Sequence, residues 1–156
     1  MHPREAYLAL PPFEFDQSDQ GWRSIDRDGG YLEAAQLIEA YLSHNMQRIR
    51  SQSQVSEATI HFHAGQEYAM NGELTYPKAL IQFRQADKPD QPAWNLYVAG
   101  TIAFLEGDNT KLTDASTALA ALVAENPNLT ANATLLGQFR DALQANNRSY
   151  KAIYGV

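Results

Sequence analysis

The chain of 156 residues carries 18 acidic and 12 basic side chains, a formal net charge of −6, and no cysteine. That length suits one domain with a single core, and the missing cysteine excludes a disulfide framework, thiol catalysis and cysteine-ligated metals. The acidic balance, with Lys and Arg scattered singly, argues against nucleic acid or anionic lipid as a partner.

Residues 1–20 read as an irregular acidic arm. Pro3, Pro11 and Pro12 remove backbone donors and disfavour helix before them, and Glu14, Asp16 and Asp19 surround Phe13 and Phe15. The two phenylalanines are expected to dock on the domain surface, the alternative being a partner-binding tail. The opening MHPREAYLALPPFEF has no continuous apolar run to serve as a leader. No stretch of the chain reaches the roughly 18–20 apolar residues of a membrane span. A cytoplasmic protein is therefore expected.

Residues 21–156 read as one helical domain. Trp22 to Asp28 suits a short helix that Gly29-Gly30 breaks. Tyr31, Ala34, Ala35, Ile38, Tyr41 and Leu42 then recur at three- and four-residue spacings, predicting a helix to about Asn45, with Ser51 to Gln54 as a polar connector. Ser56 is placed to cap the next helix, with Glu57 in its first turn and Asn71-Gly72 at its end. Thr75 and Pro77 open another, which buries Ala79, Leu80, Phe83 and Ala86. From Trp94 to Leu105 the pattern is apolar nearly all round, so that helix is either central or turns one face to a partner. Gly107-Asp108 stops it. Leu112 to Val123 and Thr130 to Ala145 give two more helices, and Ser149 to Tyr154 one docking turn. With no strand pattern, the fold class is all-α, built from antiparallel helix pairs.

Part of this pattern repeats. Gly65 and Gly72 recur about 35 residues later as Gly100 and Gly107. A glycine inside a helix costs about 1 kcal/mol relative to alanine and is tolerated where a neighbour approaches closely. Ala79 and Ala86 are the expected opposing contacts. In Gly65, Tyr68, Gly72, Ala79, Phe83, Ala86 and Pro89 the chain resembles the tetratricopeptide repeat family, with about two extra residues between Glu73 and Tyr76. A second unit keeps Gly100 and Gly107 but has Ala103 in the aromatic position. The Gly29-Gly30, Ala34, Ile38 and Tyr41 series resembles half of a further degenerate unit. The segment AWNLYVAGTIAFLEGD with the closing SYKAIYG also resembles small bacterial proteins without an assigned function. The resemblance implies a short α-solenoid or bundle of degenerate repeats.

In that family the first helices of successive units line a concave groove for a peptide or a partner helix. Carried over by register, the resemblance implies groove contacts from Phe62, Gln66 and Met70 of one unit and Trp94, Tyr97, Thr101 and Phe104 of the next. The family's carboxylate grip is not matched, because His63 and Val98 stand at its two inner asparagine places. The alternative is that Trp94 and Phe104 pack under the chain's own ends. A third possibility is that the aromatic helix is a homodimer face.

Catalytic spacings are absent: there is no Gly-x-Ser-x-Gly turn, phosphate-cradling loop or His-Glu-x-x-His. His61 and His63 point roughly 200° apart on a helix and cannot share a metal; His63 with Glu67 is an incomplete pair. Neither a metal nor another cofactor is expected. The sequence reading is thus a noncatalytic protein- or peptide-binding module. A small-molecule site or a metal-dependent enzyme with an interhelical pocket using His61 or His63 and Glu67, and a self-associating structural protein, are its alternatives.

Overall fold

A computed structural model describes residues 3–52 and 54–155, and among these every regular element is helical. Met1, His2, Ser53 and Val156, parts of the expected arm, connector and domain, lie outside the described residues. The arm is not irregular. It forms α1 (Pro3–Leu8) and α2 (Pro12–Gln17). Pro3 and Pro12 stand at helix starts, where the N–H they lack would have had no intrahelical partner. The prolines therefore open helices that they were expected to prevent. Phe15 is fully buried with its ring stacked 3.7 Å from that of Tyr41, while Phe13 stays 47% exposed.

After α3 (Arg23–Arg27), Gly29 takes φ +82° and turns the chain into α4 (Tyr31–Gln52). The stop expected near Asn45 is instead a kink, with Asn45 at φ −115° and ψ 16°. Its side-chain amide donates to the Leu8 carbonyl at 3.0 Å, and the Tyr41 hydroxyl donates to the Leu10 carbonyl at 2.6 Å. Backbone acceptors at the end of α1 are thus satisfied by α4.

Helix α5 (Glu57–Met70) begins where Ser56 Oγ accepts from the Thr59 N–H, as the cap pattern predicts. A 3-10 turn (Glu73–Thr75) leads to α6 (Tyr76–Phe83). Thr75 does not cap it with its side chain; the hydroxyl donates to the Tyr68 and Gly72 carbonyls instead. Then come α7 (Pro92–Glu106), stopped by left-handed Gly107, and α8 (Asn109–Leu122), capped by Asp108. The chain closes with α9 (Thr130–Gln144) and the short α10 (Tyr150–Tyr154), capped by Ser149.

The main contacts join neighbours in sequence: α4 with α5, α5 with α6, α7 with α8, and α8 with α9, with a lighter junction from α6 to α7. Two cores result. One gathers Phe15, Trp22, Ile38, Tyr41 and Ile60; the other gathers Phe83, Phe104, Leu112, Phe139 and Tyr150. Helix α5 belongs to both, giving Ile60 and Ala64 to the first and Phe62, Tyr68 and Met70 to the second. Ten of its 14 residues are buried. The central helix is therefore α5, although α7 has the more apolar sequence. The reason is that α4, α6 and α10 all pack around α5.

The repeated glycines both sit at close approaches, but not against the alanines. A Cβ on Gly65 would stand 2.8 Å from the Phe83 ring of α6, whereas one on Gly100 would stand 2.7 Å from Leu136 of α9. The two positions are alike in spacing and face different neighbours. Gly137 in α9 has nothing within 4 Å of where a Cβ would lie. One substitution should then act with opposite signs. Gly65→Ala, pressed against a ring wedged beside Phe62, should lower stability by about 1–3 kcal/mol. Gly137→Ala should raise it by about 0.5–1 kcal/mol through helix propensity. Urea unfolding of both variants checks the pair, and a stabilised Gly65→Ala would refute the close-packing account.

Candidate functional site

The seven groove positions lie mostly inside the molecule. Phe62, Trp94 and Tyr97 do come together: ring centroids lie 4.9 Å apart for Phe62 and Trp94, and 5.3 Å for Phe62 and Tyr97. Phe62 and Tyr97 are buried; Trp94 is half-buried, its indole N–H donating to the Ala86 carbonyl at 2.7 Å with Lys88 Nζ 3.8 Å above the ring. Thr101 is fully buried and spends its hydroxyl on the Tyr97 carbonyl. Phe104 is fully buried and stacks at 4.5 Å on Phe139 of α9. In this conformation Phe62, Thr101 and Phe104 are core, so neither an open groove nor a homodimer face can use them as drawn from register. The physical reason is cover: later parts of the same chain lie over this side of α5 and α7.

The cover over the α5 positions is α10. It contacts both α9 and α5, and its tyrosines continue a stack that starts in the core. Phe139 lies 5.5 Å from Tyr150, and Tyr150 lies 5.0 Å from Tyr154. Gln66 faces the hydroxyls of both tyrosines, and the Tyr97 hydroxyl feels the charge of both. The Met70 methyl sits 3.0 Å from where a Cβ on Gly155 would be. The approach to α10 is fixed as well. The Tyr76 hydroxyl donates to the Arg148 carbonyl and accepts from the Tyr150 N–H at 2.8 Å, and Arg148 donates to the Leu105 carbonyl at the end of α7. On the outer side Lys151 Nζ lies 5.2 Å above the Tyr31 ring. Gln66, Met70 and Tyr97 are therefore the predicted positions that share a seat. Tyr150 and Tyr154 were not among the predicted site residues, although two tyrosines four apart on a capped turn were the available signal.

The polar side chains of α5 are matched by other elements. His61 Nδ1 is 2.8 Å from Gln82 Oε1 on α6, and His63 Nδ1 is 2.8 Å from Asp16 Oδ1 on α2. The two histidines thus face different elements, and His63 does not pair with Glu67. Among the described residues no group of three His, Cys, Asp or Glu is placed to hold a metal ion. Asp16 is fully buried. Burial would raise its carboxyl, yet His63, with the Trp22 and Gln17 N–H donors, outweighs that and holds it below its ordinary value. Glu67 is the converse case. It is 4% exposed, its Oε2 has no hydrogen-bond partner, and it faces Asp26 of α3 with Arg23 and the α10 tyrosines nearby. Burial first, then the Asp26 carboxylate, pushes it up to about 8. A protonated Glu67 can donate to Asp26, as two carboxyls that close do not both ionise readily.

A surface cleft of about 360 Å³ lies elsewhere, between α1, α3 and α4, lined by Tyr7, Ile25, Glu33 and Leu37 among others. No candidate groove residue lines it. No helix among the described residues is long and apolar enough to cross a membrane. Comparison with family models, with curated proteins and with solved structures returns no match.

The two carboxylates give opposite pH dependences. Glu67 is raised on folding, so its contribution is fully present below about 4.5 and is lost as pH rises through about 8. Asp16 is lowered, so its contribution is present above about 3.8 and is lost as pH falls through its folded value. Thermal stability should therefore be highest near pH 5 and decline towards pH 8, and Glu67→Gln should flatten that decline. Melting curves at pH 5, 6.5 and 8 check this. An unchanged slope in Glu67→Gln would remove Glu67 as its source.

Proposed function

We propose that the chain is a noncatalytic protein- or peptide-binding module that works in the cytoplasm. The observation that supports this most is the seat of α10. On the side where the resemblance to tetratricopeptide repeats implies a peptide groove, a five-residue helix lies against α5 and α9. A surface that accommodates a short helix through aromatic stacking suits recognition of a short helical segment. The contacts of this reading are Gln66, Met70 and Tyr97, with Trp94 at the margin. Phe62, Thr101 and Phe104 support the groove from beneath.

Among the described residues the exposed large apolar side chains are Phe13, Leu32, Leu74, Ile81 and, on α10 itself, Tyr154; Leu74 is 98% and Ile81 57% exposed. They supply a built-in control. Selection from a displayed peptide library against the folded chain should enrich short amphipathic helical sequences. Amide chemical-shift changes on binding should cluster at residues 66–70, 94–97 and 150–155. Failure to enrich any peptide, or shifts confined to residues 74–81, would sink the groove reading.

A further inference from the structure

We infer that the seat of α10 is an exchangeable site, and that its partner is a short helical segment of the same chemistry as α10: two aromatic rings four residues apart, an apolar residue just before the second, and a cation after the first. The inference rests on the peptide-binding reading and names its ligand class and regulation. In the closed chain the site is filled by the chain itself.

Three features carry it. First, the occupant is divided. Tyr150 is fully buried and anchors the segment, Ile153 is half-buried, and Lys151, Ala152, Tyr154 and Gly155 remain exposed. A helix of five residues has little stability of its own, so its conformation is lent by the seat and can be lent to another chain. Second, the occupant fits imperfectly. The Tyr150 hydroxyl is buried without a hydrogen-bond partner, although the Gln66 amide lies beside it and beside the Tyr154 hydroxyl. The other buried, partnerless polar atom among the described residues, Glu67 Oε2, belongs to the neighbouring residue on α5. The Tyr150 deficit lies in the seat itself, and an unpaired buried polar group opposes the arrangement that contains it. Third, the connection is an exposed loop. Residues 145–148 are exposed, and Asn146 takes φ +60°, a left-handed conformation that asparagine tolerates. A segment tethered by so short a loop competes as though present at millimolar concentration, so the closed chain resists a free peptide that a vacated seat accepts.

The chemistry of the best ligand follows from the imperfect fit. Phenylalanine in place of Tyr150 would keep the stack on Phe139 and remove the unpaired hydroxyl. A segment with Phe first and Tyr second, leaving Gln66 to serve the Tyr154 hydroxyl alone, should bind more tightly than the chain's own.

The test uses the full chain with a protease site inserted between Asn146 and Asn147, cut after folding. A fluorescent synthetic peptide of residues 147–155 should enter the seat of the cut protein, with helical circular dichroism retained. It should bind the uncut chain about a hundredfold more weakly or worse. The same peptide with Tyr150→Phe should bind about tenfold more tightly than the original, and the uncut Tyr150→Phe chain should melt higher. The inference is overturned if the cut segment stays in place against a large excess of peptide. It is equally overturned if losing the segment unfolds the domain, since α10 is then fixed core. If library-selected peptides still bind while no exchange occurs, the module reading stands and only the seat assignment fails; if no peptide binds either form, both fail.

Discussion

A helix surrounded on nearly all sides must have every polar group it carries answered from somewhere else, and α5 is such a helix. Its sequence is not that of a buried helix, since it carries His61, His63, Gln66 and Glu67 among its apolar residues. Three are answered by different elements, Gln82 of α6, Asp16 of α2 and the tyrosines of α10, while Glu67 faces Asp26 of α3 and is pushed towards its neutral form. Uncompensated burial of such groups would cost on the order of 1–3 kcal/mol each. The demand for partners therefore decides which segments gather around α5, and it draws in both ends of the described chain.

The same constraint joins the two cores. In the first core Phe15 of α2 stacks on Tyr41 of α4, and Asp16 also ties α2 to α5 through His63 while accepting from the Trp22 indole N–H. On the opposite side the second core continues through Phe104, Phe139 and Tyr150 as a stack of rings that ends at the solvent on Tyr154. Between these sides α5 acts as a shared wall. Substitutions on it are transmitted to both cores.

What was legible in the sequence follows the range of the signal. The Ser56 cap, the Gly107 stop, the first-turn Pro77 and the last turn at Ser149 depend on a few consecutive residues, and they are where local chemistry puts them. Proline was misread at Pro3 and Pro12 because it disfavours helix before itself and favours helix after itself, and the choice depends on where the chain is already turning. Asn45 was misread because a kink and a stop look alike until the partner, the Leu8 carbonyl, is known. Gly65 and Gly100 were correctly read as close approaches, but a spacing cannot say whether Phe83 or Leu136 is approaching. The candidate site obeyed the same limit. Register assigns a residue to a helix face, as it did for Phe62, Tyr97 and Phe104, yet what covers that face is decided by a segment dozens of residues away.

The contacts of Arg148 add a constraint of order in time. Leu105, in the last turn of α7, has its carbonyl held by a side chain 43 residues later, and the Tyr76 hydroxyl meets its backbone partners 72 and 74 residues later. A nascent chain is made from its N-terminus, so both of these groups are synthesised well before what satisfies them. Until residue 150 has emerged, the side of α5 bearing Gln66 and Met70 stands open to the surrounding medium. Birth, rather than any later opening, is when that face is first and most fully accessible.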